Sequence, residues 1–160
     1  MSSSGKIKEV TTPTVKKATV VVFRTQWNAE IVDELFAGSS KVLDAAKIKL
    51  IEFIVPGAFE IPFAIKKYWD KSKKHRPDAF IAFGCIIRGD TPHFDYVCRA
   101  VTDGVGALNL QLPVPVIFGV LTVNSIDQAR QRIGGMHGHK GEEAADAAIK
   151  MISYSRSLQR

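Results

Sequence analysis

Cysteine is nearly absent: two in 160 residues. Cys85 and Cys98 show no metal-ligand spacing, which argues against a disulfide scaffold or a zinc ribbon and leaves two reduced thiols of a cytosolic protein. Long apolar runs are also missing. No stretch approaches the roughly 20 residues of a membrane span, and the N-terminus lacks the apolar centre of a signal peptide. A soluble, intracellular chain without a membrane partner is expected. No internal repeat and no low-complexity linker is present, so solenoids and arrays are set aside. Aromatics make up 9% of the chain and do not interleave with its basic residues, although the formal net charge is +6. Lys6, Lys8, Lys16 and Lys17 fall near the N-terminus, and Lys66, Lys67, Lys71, Lys73, Lys74 and Arg76 crowd one helix end. Lysines late in a helix are favoured by its dipole, so these read as a solvated helix end rather than a nucleic-acid platform. No nucleic-acid partner is expected, though the surplus charge can still draw anionic substrates. His75 sits in a charged loop, and His137 and His139 flank glycines without a third ligand. No metal and no cofactor is assigned.

What is there alternates. Residues 1–17 are polar, Ser/Thr-rich and aperiodic, an extended or flexible N-terminal tail, and residues 18–160 read as one domain. Ala18 to Arg24 is a β-branched apolar run, a central strand buried on both faces. Asn28 is placed to cap a helix running to about Ala46, along which Ile31, Leu35, Val42 and Leu43 keep helical spacing. Leu50 to Val55 is a second strand, and Phe59 to Trp69 a helix with Pro62 in its first turn. Asp78 to Ile87 is a third strand. His93 to Leu112 is the next helix, striped by Val97, Val101, Val105 and Leu108, with Gly104 and Gly106 expected to allow close packing. Pro115 to Leu121 is a fourth strand. Ser125 with Gln128 is a capping-box signature for a short helix to about Ile133; Gly134 to His139 breaks it, and a last helix runs from near Gly141 to Ser155.

Such alternation predicts an α/β fold: a three-layer α/β/α sandwich around a four-stranded parallel sheet. Ligands then bind beyond the strands' carboxyl ends. Trp27-Asn28, Gly57 to Glu60, Arg88 to His93 and Thr122 to Arg132 all fall there. The third of these is the most suggestive. A strand end, a glycine-containing turn and a helix start form an anion site, to which Thr91 adds a hydroxyl, Arg88 a positive charge and His93 a proton carrier. The same residues also read as an ordinary helix cap, with Asp90 or Thr91 capping and His93 merely in the first turn.

Longer motifs narrow the choice. Trp27-Asn28, Val55-Pro-Gly-Ala-Phe-Glu-Ile-Pro62, Gly84-Cys-Ile-Ile-Arg-Gly-Asp-Thr-Pro-His-Phe-Asp-Tyr-Val97, Val116-Ile-Phe-Gly-Val-Leu-Thr122, Gln128-Ala-x-x-Arg132 and Gly138-His-Lys-Gly141 resemble, in order and spacing, the lumazine synthases of riboflavin biosynthesis. The resemblance covers about residues 18 to 155 and implies a flavodoxin-like fold. It also implies a transferase that condenses 5-amino-6-(D-ribitylamino)uracil with 3,4-dihydroxy-2-butanone 4-phosphate to 6,7-dimethyl-8-ribityllumazine.

The residue types suit those roles. The resemblance makes His93 the catalytic acid/base and Trp27, where relatives often carry Phe, the face on which the pyrimidine stacks. Asn28 and Glu60 would take the ribityl hydroxyls, and the backbone of Ala58, Phe59, Glu60, Cys85, Ile86 and Ile87 would frame the ring. Asp90, through its N–H, and Thr91 would hold the phosphate, gripped by Arg132, with Lys140 adding charge. Phe118, Arg132 and Lys140 would reach into a neighbouring subunit's pocket. A homopentamer follows, with the N-terminal segment joining the neighbour's sheet. An icosahedral shell of sixty subunits stays open, with riboflavin synthase a candidate partner. Two other readings remain: a flavin- or nucleotide-binding module without catalysis, and a shell or flavin-storage relative with weakened catalysis.

Overall fold

The computed structural model describes residues 11–159. They form β1 (Thr19–Thr25), α1 (Ala29–Ala45), β2 (Lys49–Val55), a 3-10 turn (Ala58–Glu60), α2 (Ile61–Lys71), β3 (Ala79–Ile87) and α3 (His93–Gln111). After these come β4 (Val116–Val123), α4 (Ile126–Arg130), β5 (Ile133–Gly135), β6 (Gly138–His139) and α5 (Lys140–Ser157). The first four strands pair in parallel in the order β2-β1-β3-β4.

Alternation along β1 creates the layers. Val20 and Val22 enter a core shared with Ile31, Leu35 and Leu43 of α1 and Ala145, Ile149 and Ile152 of α5. Val21 and Phe23 enter a second core with Ile61 and Ile65 of α2 and Val101, Val105 and Leu108 of α3. Successive strand side chains point to opposite faces, so each central strand feeds both cores. This is the expected flavodoxin-like α/β/α sandwich. Strands β1 and β3 are buried, whereas β2, at the sheet edge, is largely exposed. Among the described residues no helix is long and apolar enough to cross a membrane.

Close approaches set the helix positions. A methyl at Gly141 would collide with the Leu35 carbonyl, so α5 crosses α1 backbone against backbone. At Gly104 a Cβ would lie 2.6 Å from the Pro62 ring, which fixes α3 against α2. Gly106, also expected to permit close packing, meets nothing within 4 Å among the described residues.

Three local expectations give way. Residues 1–10 of the predicted tail lie outside the described residues. Residues 11–17 have no helix or strand, yet Val15 is only 6% exposed and belongs to the α1/α5 core. Arg156 donates to the carbonyls of Lys16 and Lys17 at 2.6 and 3.3 Å, tying that segment to α5. A lone apolar residue in a polar stretch carries no periodic signal, so the core began earlier than Ala18. Second, α4 ends at Arg130 rather than near Ile133, because β5 and β6 make a hairpin. Gly134 and Gly138 adopt φ of 110° and 75° there, the conformational freedom that looked like a mere break in the sequence. Third, the capping box is offset. Ser125 Oγ accepts from the Gln128 N–H at 3.3 Å, but Gln128 Oε1 returns to the N–H of Asn124, at 2.8 Å.

Candidate active site

Strand order reverses between β1 and β3, since the chain moves outward to β2 and then returns to the other side of β1. The loops leaving β1 and β3 therefore diverge and open a crevice at the carboxyl rim. A cavity of about 390 Å³ occupies it.

From β1, Thr25, Trp27 and Asn28 line this cavity. Thr25 is buried and its hydroxyl donates to the Trp27 carbonyl at 3.2 Å, closing the turn that presents the indole. Trp27 itself is 73% exposed, so the ring is available to a ligand rather than spent on packing. Asn28 occupies the N-terminal boundary of α1 in the left-handed region, φ 55°, and its side chain makes no cap. Its amide instead donates to the Cys85 carbonyl at 2.7 Å, bridging the ends of β1 and β3. The expected cap is thus replaced because the left-handed backbone, which Asn tolerates, carries the amide across to β3. The Asn28 side-chain oxygen remains an acceptor.

Gly57, Ala58, Phe59 and Glu60 supply the next wall, from the 3-10 turn after β2. A Cβ at Gly57 would stand 3.0 Å from Glu60 Oε2, so the carboxylate lies over the bare glycine at the cavity's edge. Phe59 is 62% exposed. Cys85, Ile86 and Ile87 contribute the end of β3, and His93 and Val97 the first turns of α3. Burial pushes the Cys85 thiol up to about 11, so it lines the cavity as a neutral, unreactive group. Cys98, also free, is raised by burial, with the Asp95 charge adding to the effect and Arg88 opposing it.

Asp90 and Thr91 lie on the loop that delivers His93 but do not line the cavity. Pro92 holds the cap position of α3 without a side-chain cap, and Thr91 Oγ1 accepts from the His93 N–H at 3.4 Å. Arg88 differs from its expected part in the anion site. Its guanidinium donates to Asp95 at 2.9 and 3.4 Å and to Asn124 at 3.1 Å, and lies 4.2 Å from the centre of the Phe94 ring. The charge is thereby committed to joining the β3 loop, the first turn of α3 and the end of β4.

Phe118, Arg132 and Lys140 do not line this cavity. Phe118 is exposed on β4, Arg132 donates to the Gln128 carbonyl at 2.7 Å, and Lys140 pairs with Glu143 at 2.7 and 2.8 Å. The hairpin nonetheless sets two of them side by side, since the Lys140 N–H donates to the Arg132 carbonyl at 2.8 Å. Sequence reasoning placed Gly57 at the rim but missed Thr25 and Val97 as lining residues. Thr25 had a signal: a polar residue closing an apolar strand run is placed to make a specific bond.

The sequence profile of the 6,7-dimethyl-8-ribityllumazine synthase family matches residues 17–156. The chain belongs to this family. Among its relatives, the 6,7-dimethyl-8-ribityllumazine synthase of Bacteroides fragilis is 44% identical over 139 residues, covering 85% of this chain and 95% of that protein. That of Parabacteroides distasonis is 40% identical over 146 residues, 89% of each chain. That of Christiangramia forsetii is 43% identical over 152 residues, 93% of this chain and 89% of its own. The family match begins just ahead of β1 and ends within α5, so it takes in the whole parallel sheet and every residue of the cavity.

Proposed function

We infer that this chain condenses 5-amino-6-(D-ribitylamino)uracil with 3,4-dihydroxy-2-butanone 4-phosphate, giving 6,7-dimethyl-8-ribityllumazine, phosphate and water in the penultimate step of riboflavin biosynthesis. The observation that carries this reading is that, in a chain of this family, an exposed indole and an imidazole open onto one cavity at the rim of the parallel sheet.

The roles follow from chemistry. The flat pyrimidine stacks on Trp27, and its edge meets backbone groups of Ala58, Phe59, Cys85, Ile86 and Ile87. The ribityl hydroxyls are met by the Asn28 side-chain oxygen and the Glu60 carboxylate. Backbone N–H groups at Asp90 and Thr91, at the start of α3, suit the phosphate of the second substrate. The uracil's amine attacks the ketone and water leaves. Phosphate departs by elimination, and the ribitylamino nitrogen then closes the second ring with loss of another water. His93 moves the protons these steps require. Holding both substrates in one crevice supplies much of the acceleration, since imine formation and cyclisation proceed once the partners are oriented.

Arg132, Lys140 and Phe118 complete this site only from a second copy. A homopentamer is therefore the proposed assembly, supported by Phe63, Tyr96 and Leu110, apolar side chains exposed on α2 and α3. The icosahedral shell and the encounter with riboflavin synthase rest on the resemblance, and the two free thiols support a cytoplasmic location.

The test is to mix purified protein with both substrates and follow lumazine fluorescence, with native mass spectrometry counting subunits. His93→Ala is expected to slow turnover by no more than about a hundredfold, the low end of general acid–base catalysis. Arg132→Ala mainly raises KM for the phosphorylated substrate. Tight flavin binding without lumazine formation would leave a binding module instead.

A further inference from the structure

The hairpin β5–β6 carries Arg132 and Lys140 at its base and is attached to the body by Ile133, which packs against the α1/α5 core, and by the side chain of His139. We propose that His139 is a positioning residue for that hairpin, orienting Arg132 and Lys140 toward the phosphorylated substrate without touching it. This rests on the reading of Arg132 and Lys140 given above.

Three contacts converge on His139. In the hairpin register it lies opposite Ile133, directly after Arg132 in the chain. Its ring fills the notch that Gly38 leaves on α1, where any Cβ would overlap the imidazole. Its Nδ1 accepts from the Glu142 N–H at 3.4 Å, making it the cap of α5. One residue therefore grips α1 through its ring, α5 through its nitrogen and the hairpin through its backbone. Lys140 follows it immediately and is bonded to the Arg132 carbonyl. Without the imidazole, the first turn of α5 loses its side-chain acceptor and the notch above Gly38 empties. The backbone that carries the two cations, whose side chains bond Gln128 and Glu143, then shares its time among several positions. A phosphate gripped by such charges depends on fixed geometry, so binding of that substrate weakens while the Trp27 cavity is left alone. Asn at this position keeps an acceptor in reach of the Glu142 N–H. Phe keeps a ring for the notch but accepts nothing.

The experiment compares His139→Ala, His139→Asn and His139→Phe with Arg132→Ala in steady-state assays of the assembled enzyme, varying each substrate in turn. His139→Ala and His139→Phe are expected to raise KM for the phosphorylated substrate about fivefold, the loss of one helix cap, with kcat and the pyrimidine KM unchanged. His139→Asn is expected to stay within about twofold of the parent. If Arg132→Ala raises that KM while His139→Ala and His139→Phe do not, the positioning role is overturned and the reading of Arg132 survives. If Arg132→Ala is also silent, the reading of Arg132 falls and the proposal with it. A joint rise in both KM values with a change in assembled mass marks a structural role only and overturns the proposal. Should His139→Ala fail to fold, the contrast between the Asn and Phe variants decides.

Discussion

Removing the Trp27 indole separates binding from stability. The ring is 73% exposed, so Trp27→Ala empties no core, and a surface change of this kind shifts folding by only about 0.5 kcal/mol. The turn beneath it survives, because Thr25 donates to the Trp27 carbonyl and any residue supplies that acceptor. Stacking of a nucleobase-like ring on an aromatic side chain contributes about 1–3 kcal/mol. At 1.4 kcal/mol per decade, the pyrimidine substrate should bind about 5- to 150-fold more weakly to the Ala variant, with Trp27→Phe between the two. Trp69, the only other tryptophan, is buried on α2. Ligand quenching of the exposed indole's fluorescence therefore reports the site directly and should vanish in Trp27→Ala. Titration of the pyrimidine with each variant, beside a thermal melt, makes the measurement. An unchanged Kd would refute the stacking argument. A fall in Tm beyond about 5 °C would show that the indole anchors the fold instead.

Two further outcomes follow from other parts of the molecule. Gly104→Ala places a methyl 2.6 Å from the Pro62 ring and should cost about 1–3 kcal/mol as α3 is pushed from α2, read as a lower denaturant midpoint; an unchanged midpoint would show that the contact yields freely. Burial raises the Cys85 thiol from 9.0 to about 11, so the folded chain keeps this proton where the unfolded chain releases it. Its contribution to stability is complete at neutral pH and fades as pH rises from about 9 toward 11. Cys85→Ala should flatten that alkaline limb of the stability curve, and an identical limb in the variant would sink the assignment.

The layers, the parallel sheet and the rim on which the cavity opens were legible in the sequence. The runs at Ala18 to Arg24 and Asp78 to Ile87, and the spacing of Val101, Val105 and Leu108, each repeat one instruction over many residues. An error at any single position averages out. Parallel strands then bring their carboxyl ends together, so Trp27, Glu60, Ile87 and His93 were bound to converge once the alternation was seen. Asn28 shows what this reasoning cannot reach. Whether its amide caps α1 or crosses to a carbonyl 57 residues away depends on one backbone angle and one neighbour through space. Val15, drawn from an aperiodic stretch into the core, and Arg88, committed to Asp95 and Asn124, were decided in the same way. So was the hairpin that sets Arg132 beside Lys140. Periodic burial is written locally and redundantly along a chain. A single bond between distant segments is written nowhere until folding brings its two ends together.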